Sequence, residues 1–191
     1  ADTHTLEQMT YRIGQRQMQE KELLLEPEFF LSLQKNYPQI THVEVMPKAS
    51  PNDNELSRYR YDAILYIDKP VESIDIEWRD WVDEEFSEER LSSLLQKEKP
   101  EFLGLMSVPN ARMQQDLKLR EVLESRTRFE NVAALNSWLD ESVTDQVQLE
   151  KLIEIGGSCG YRVEVSWLAS GSGADYQLLF KRDDCKESVV N

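Results

Sequence analysis

The spacing of apolar residues switches repeatedly between helical and strand-like periods along the chain, with no repeats or low-complexity tracts. Residues 5–24, TLEQMTYRIGQRQMQEKELL, place Leu6, Met9, Ile13 and Leu24 on the thin apolar stripe of a largely polar helix. In EPEFFLSLQKNYP, Pro27 takes a first-turn position, where its missing N–H costs nothing. Phe29, Phe30 and Leu33 give that helix an apolar face, and Pro38 stops it. ITHVEVMPK then alternates, Val43 and Val45 against His42 and Glu44, which predicts a strand with one wet face near a sheet edge. Residues 61–67, YDAILYI, are read as apolar on both faces and predict an interior strand.

Beyond DKPVESIDIEWRDW the chain turns acidic and then helical, with Phe86, Leu91, Leu94 and Leu95 ahead of Pro100. EFLGLMSVPN predicts a short strand, and ARMQQDLKLREVLES and VAALNSWL predict two helices. VTDQVQLEKLIEIGGSCG reads as a helix capped by Thr144 and ended by glycines. Two last strands, YRVEVSW and ADYQLLF, are joined by LASGSG. A seam near residues 70–76 divides the pattern into residues 1–70, a sheet with preceding helices, and 71–182, an accessory α/β segment, before a flexible tail at 183–191. The first part has too few strands to close a core alone.

Composition narrows the function. The 191 residues are 40% hydrophobic and 30% charged, which suits a folded soluble protein rather than a disordered one. A formal charge of −14 disfavours nucleic acid, which needs a basic stripe. No apolar run reaches the roughly 20 residues of a membrane span, and ADTHTLEQMT lacks the regions of a signal peptide, so a cytoplasmic location away from membranes is expected. Cys159 and Cys185 form no CxxC pair and read as reduced structural thiols, with a disulfide between them left open. Two histidines are too few for a zinc cluster, and DEEFSEER lacks the glycine-punctuated spacing of a calcium loop; it reads as a solvated helix face. The four tryptophans, Trp78, Trp81, Trp138 and Trp167, fit core anchors better than a stacking platform.

LIEIGGSCG looks like a cofactor-binding turn, but such a turn needs a strand before its glycines and a helix after them. Here the order is reversed, and helix termination is the better reading. In VPNAR, Asn110 either caps the next helix or stands with Arg112 at the mouth of a pocket, since ligands favour the carboxyl ends of strands. The long connection 47–60 crowds Asn54, Glu55, Arg58 and Arg60 ahead of Tyr61. That crowding is either an ion-paired turn that pins a strand start or the edge of a binding site.

The run ELLLEPEFFLSLQKNYPQITHVEVMPKASPNDNELSRYRYDAILYI resembles the closing part of the methyltransferase domains embedded in nonribosomal peptide synthetases. The likeness rests on Glu26 to Phe30, His42 to Glu44 and Asn54 to Tyr61, and more loosely on Val108 to Arg112 and the Gly160-Tyr161 turn into VEVSW. The resemblance implies an α/β fold, with the closing antiparallel strand pair of a class I methyltransferase-like sheet at 41–67, the final strand inserted between its neighbours, followed by a smaller mixed α/β segment. It implies an acceptor-side portion of an N-methyltransferase, moving a methyl group from S-adenosylmethionine to the amine of a carrier-bound aminoacyl thioester. The cofactor belongs to the complete domain and is not expected to bind this chain alone, which is expected to be inactive by itself. The implied partners are the cofactor-binding half of the domain and the adenylation and carrier domains of a synthetase. Glu55 is the candidate catalytic residue, with Asn54, Arg58, Arg60, Tyr61, Asn110 and Arg112 as substrate-binding candidates. The alternative is a noncatalytic structural or interaction module derived from such a domain, in which the departures at Lys48-Ala49-Ser50 and Asp53 reflect lost chemistry.

Overall fold

The computed structural model describes residues 5–48, 54–68, 76–125, 127, 129–142, 147–167 and 175–185. In chain order the elements are α1 (Leu6–Gln19), α2 (Pro27–Asn36), β1 (Ile40–Pro47), α3 (Glu55–Tyr59), β2 (Tyr61–Ile67), β3 (Trp78–Asp80), α4 (Glu88–Lys97), β4 (Phe102–Val108), a 3-10 turn (Ala111–Met113), α5 (Gln114–Ser125), α6 (Val132–Ser142), α7 (Leu149–Ser158), β5 (Tyr161–Ser166) and β6 (Tyr176–Arg182). The content is mixed α/β, as the pattern predicts. The chain divides into two compact units, Ala1–Leu25 with Arg112–Gln146, and Glu26–Ala111 with Val147–Asn191. The expected seam near residue 70, Thr144, LASGSG and the end of the tail lie outside the described residues.

The first unit is helical. Thr5 and Gln8 form a reciprocal capping box, the Thr5 hydroxyl accepting from the Gln8 N–H and the Gln8 amide oxygen from the Thr5 N–H. α1 ends at Gln19, five residues before the expected Leu24, because the Glu20 carboxylate captures the N–H groups of Lys21 and Glu22. Val122, Leu135 and Leu139 make a small core, with Leu6, Met9, Leu119 and Phe129 packed against it. Trp138 is 39% exposed and rests on Phe129, so it does not anchor that core.

The second unit carries the sheets. Four strands take the order β3-β4-β6-β5. β3 runs parallel to β4, and β6 is antiparallel to both β4 and β5, so it is inserted between two strands that point the same way. β1 and β2 form a separate antiparallel pair, with Val43 opposite Leu65 and Val45 opposite Ala63. The Trp167 N–H donates to the Val45 carbonyl at 2.9 Å, and Glu164, three residues earlier, acts on Tyr66, the register partner of His42. β1 therefore lies beside β5 and runs in its direction.

Two expectations are corrected here. β1 is the sheltered strand, with Val43 and Val45 buried, whereas β2 is the outer one, with Asp62, Ile64 and Ile67 exposed. Among the described residues no second strand pairs with β2. An apolar run does not by itself mean two covered faces: Asp62 breaks it on one face, and Ile64 is left in solvent. β2 is therefore not inserted between neighbours as expected at 61–67, and the inserted strand of this unit, β6, belongs to the other sheet.

α2, α4 and α7 cover one face. Phe30 and Leu33 of α2 and Leu91, Leu94 and Leu95 of α4 share a core with Val43, Val45, Leu103, Leu105, Leu178 and Phe180. α7 comes so close that a Cβ on Gly156 would lie 2.4 Å from Val163 Cγ2. Gly160, at φ +81°, turns the chain from α7 into β5, which bears out the reading of the glycines as a helix end. Cys159 and Cys185 are free thiols. Among the described residues, no helix is long and apolar enough to cross a membrane, and no three His, Cys, Asp or Glu gather as metal ligands would.

Candidate functional site

Because β1, β3, β4 and β5 run the same way, their carboxyl ends lie on one side of the sheets, the side where open α/β folds bind ligands. Two groups of the sequence candidates lie at that side. The first follows β1. Asn54 caps the single-turn helix α3, its side-chain oxygen accepting from the N–H groups of Leu56 (2.9 Å) and Ser57 (3.2 Å). Ser57 is buried and its hydroxyl binds back to Asn54, accepting from the Asn54 N–H and donating to the Asn54 carbonyl. This reciprocal lock explains why a five-residue helix forms at all.

Glu55 is the first residue of α3 and is exposed. It makes no ion pair among the described residues, so the ion-paired turn is not formed through this carboxylate. The exposed Arg60 gives its carbonyl to the Lys48 N–H, which ties the two ends of the 47–60 connection together, and Arg58 is half-buried. Tyr61 opens β2. Its ring meets Phe30 and Trp167 edge-on, each at 6.1 Å between centroids. Burial, with a smaller contribution from Glu28, raises its hydroxyl above the usual tyrosine range.

The second group follows β4. Asn110 is buried, and Arg112 stands in the 3-10 turn that begins the helical unit. β6 and β5 intervene between β4 and β1, which puts Asn110 about 14 Å from β1 at ordinary strand spacing. The six candidates of this unit therefore do not converge on one pocket. Asn54, Glu55, Arg58, Arg60 and Tyr61 form one cluster, and Asn110 is separate from it.

Three features of this side were not read from the sequence. Trp167 is 6% exposed, and its indole Nε1 has no hydrogen-bond partner among the described residues. Asp80, at the end of β3, accepts from the Ser107 hydroxyl (2.6 Å) and from the N–H groups of Val82 and Asp83 (2.9 Å each). The Ser107 bond, then that of Asp83, holds the Asp80 carboxyl below the usual range. Ser107 itself has φ +55°, a left-handed conformation uncommon for a residue with a side chain. The sequence signal for Trp167 was weak: a tryptophan at a strand end before a Gly/Ser-rich run. For Asp80 there was none, since β3 has only three residues.

His42 and Glu44 lie on the opposite face of β1 from Val43. The Tyr66 hydroxyl donates to Glu44 Oε1 at 2.9 Å, and the His42 ring tilts against Tyr66 at 5.7 Å. His42 Nε2 is buried without a partner among the described residues, and burial pulls the imidazole below its usual value against the opposing pull of Glu44. In the helical unit an open depression of about 940 Å³ is lined by residues that include Leu6, Tyr11, Val122, Phe129, Glu7 and Glu130. None of the sequence candidates lines it.

No family model matches the chain. Chondramide synthase of Chondromyces crocatus is 34% identical over 184 residues, covering 93% of this chain and 5% of that protein. A nonribosomal peptide synthetase of Penicillium thymicola is 33% identical over 158 residues, 78% of this chain and 6% of its own. Cyclosporin synthetase of Tolypocladium inflatum is 31% identical over 208 residues, 99% of this chain and 1% of its own. The chain is similar to a short region of nonribosomal peptide synthetases. It spans 6% or less of the length of each of these relatives.

Proposed function

We propose that the chain is the acceptor-side portion of a methyltransferase domain in a nonribosomal peptide synthetase, acting on the amine of a carrier-bound aminoacyl thioester. The observation that carries this reading is the antiparallel pair of β1 and β2, which falls where the sequence resemblance implies a closing pair, although β2 is the outer strand rather than an inserted one. It occurs in a chain whose relatives include synthetases.

The described residues do not fit S-adenosylmethionine. Among the described residues the adjacent glycines lie at the end of α7, and the space beside Gly156 is filled by Val163 and Phe180 rather than left as a cradle. In this reading cofactor binding falls to another part of the domain. What this chain supplies is the acceptor's surroundings. Glu55, exposed and without an ion pair among the described residues, accepts the proton that the acceptor ammonium must lose before nitrogen has a lone pair. Asn54 has its oxygen engaged in the cap, so its Nδ2 is the group that donates to the thioester carbonyl. Tyr61 walls the site, while Arg58 and Arg60 flank it. The acidic net charge favours an ammonium over an anion as the arriving group. In this reading the adenylation and carrier domains deliver the acceptor.

The test is S-adenosylmethionine binding by calorimetry, on this chain alone and with its upstream region restored. Binding only in the restored form is expected, and Glu55→Gln should then lower turnover by about a hundredfold, the lower end for a lost general base. No binding in either form would overturn the catalytic reading and leave a structural module.

A further inference from the structure

Trp167 closes β5 at the carboxyl side of the sheets, where its backbone N–H binds Val45. Its indole is walled by Tyr61, edge-on at 6.1 Å, and by Tyr176, tilted at 6.4 Å. Phe30 packs edge-on against Tyr61. The indole N–H can only donate, and among the described residues it meets no acceptor. Buried donors are almost always satisfied, and the exceptions call for an explanation such as a missing ligand atom.

The surroundings select the ligand. The chain carries a net charge of −14, so a carboxylate or phosphate is disfavoured. A neutral carbonyl oxygen flanked by apolar atoms suits an indole N–H between aromatic walls. Tyr61, one of those walls, is continuous in the chain with the Asn54–Arg60 segment. We propose that Trp167 is a substrate-binding residue whose Nε1–H donates to a neutral carbonyl of the acyl acceptor. This rests on the acceptor-side reading above and adds to it a donor placed within the sheet's own end.

The test uses this chain, the only part labelled with ¹⁵N-tryptophan, ligated to its unlabelled upstream region. Its four indole signals are assigned by single Trp→Phe variants, and the probe is alanyl-pantetheine thioester. Saturable downfield movement of the Trp167 indole proton is expected. Trp167→Phe should raise KM about tenfold, the equivalent of one neutral hydrogen bond, with kcat and S-adenosylmethionine affinity unchanged. A Trp167 signal that stays still while the thioester turns over would overturn the inference, as would a Trp167→Phe loss confined to thermal stability. If Trp167→Phe does not fold, the other three variants still assign the signal by elimination. Should the wild type neither bind S-adenosylmethionine nor turn over, the methyltransferase reading falls, yet the indole response to the thioester alone still decides this inference.

Discussion

Gly156 and Gly157 are consecutive in α7, and alanine at each should move stability in opposite directions. At Gly156 an added Cβ would lie 2.4 Å from Val163 Cγ2 and 3.1 Å from two ring carbons of Phe180. Neither neighbour yields cheaply. Val163 is β-branched and held in a strand, and Phe180 is wholly buried. Forcing a methyl group into such a core costs about 1–3 kcal/mol, and contacts this short belong toward the upper end. Replacing glycine within a helix returns about 1 kcal/mol. Gly156→Ala should therefore lose about 1–2 kcal/mol.

Gly157 is exposed and has nothing within 4 Å of an added Cβ, so Gly157→Ala should gain about 0.4–1 kcal/mol. Gly160, with φ +81°, is a third case: its Cβ meets no atom, yet alanine there costs about 1–2 kcal/mol from the left-handed backbone alone. Urea denaturation followed by far-ultraviolet circular dichroism reads all three variants, provided the slope with denaturant is unchanged. Equal shifts for Gly156→Ala and Gly157→Ala would refute the seating of α7 against β5 and β6 on which the core assignment rests.

Three further outcomes test the ends of the sheets and the face of β1. Asn54→Ala should cost about 1 kcal/mol in urea denaturation while Asn54→Asp retains the cap, because only an acceptor oxygen is needed. The Asp80 carboxyl is lowered in the folded state, so its stabilisation is present above its ordinary value of 3.8 and is lost as pH falls below it; Ser107→Ala should flatten that acid limb of the urea midpoint. His42 is also lowered, from 6.5, chiefly by burial. The unfolded chain then binds the proton first, so the His42 contribution is intact above 6.5 and declines as pH falls through the window below. Thermal midpoints across that window should drop for the wild type and change less for His42→Asn.

Much of the fold was legible because period and punctuation agreed. Pro27 at a helix start, Gly160 after a helix end, and the alternation in β1 each had a local physical cause that the packing did not override. The strand order was not legible, because it depends on pairings between residues far apart in the chain. Val45 finds Trp167 more than a hundred positions away. β3 escaped notice since three residues carry too little period to distinguish a strand from a turn. The site was legible only in part. The Asn54–Tyr61 crowding was visible as composition, but its separation from Asn110 follows from β6 and β5 lying between β4 and β1, which only topology reveals.

The same geometry divides the polar residues at this end of the sheets by how far their bonding capacity is used. The Asn54 oxygen, the Ser57 hydroxyl, the Asp80 carboxylate and the Ser107 hydroxyl are engaged by neighbours within a few residues or across one strand pair. These groups hold backbone: substituting them should change stability first and ligand affinity second. Glu55 and the Trp167 indole differ, one exposed without an ion pair among the described residues, the other buried with an unpartnered donor. Neither stabilises the fold through its polar atom, so each persists either by chance or because a ligand completes it. A buried donor without an acceptor costs about 1–3 kcal/mol, a sizeable fraction of an ordinary domain's stability of about 5–15 kcal/mol. Chance is the weaker explanation for Trp167. Tyr61 links the two, through the chain to the α3 turn that begins at Glu55 and through direct ring contact to Trp167. Under the proposed reading one is the proton acceptor and the other the donor to a carbonyl, which answer to the amine and the carbonyl of an aminoacyl thioester.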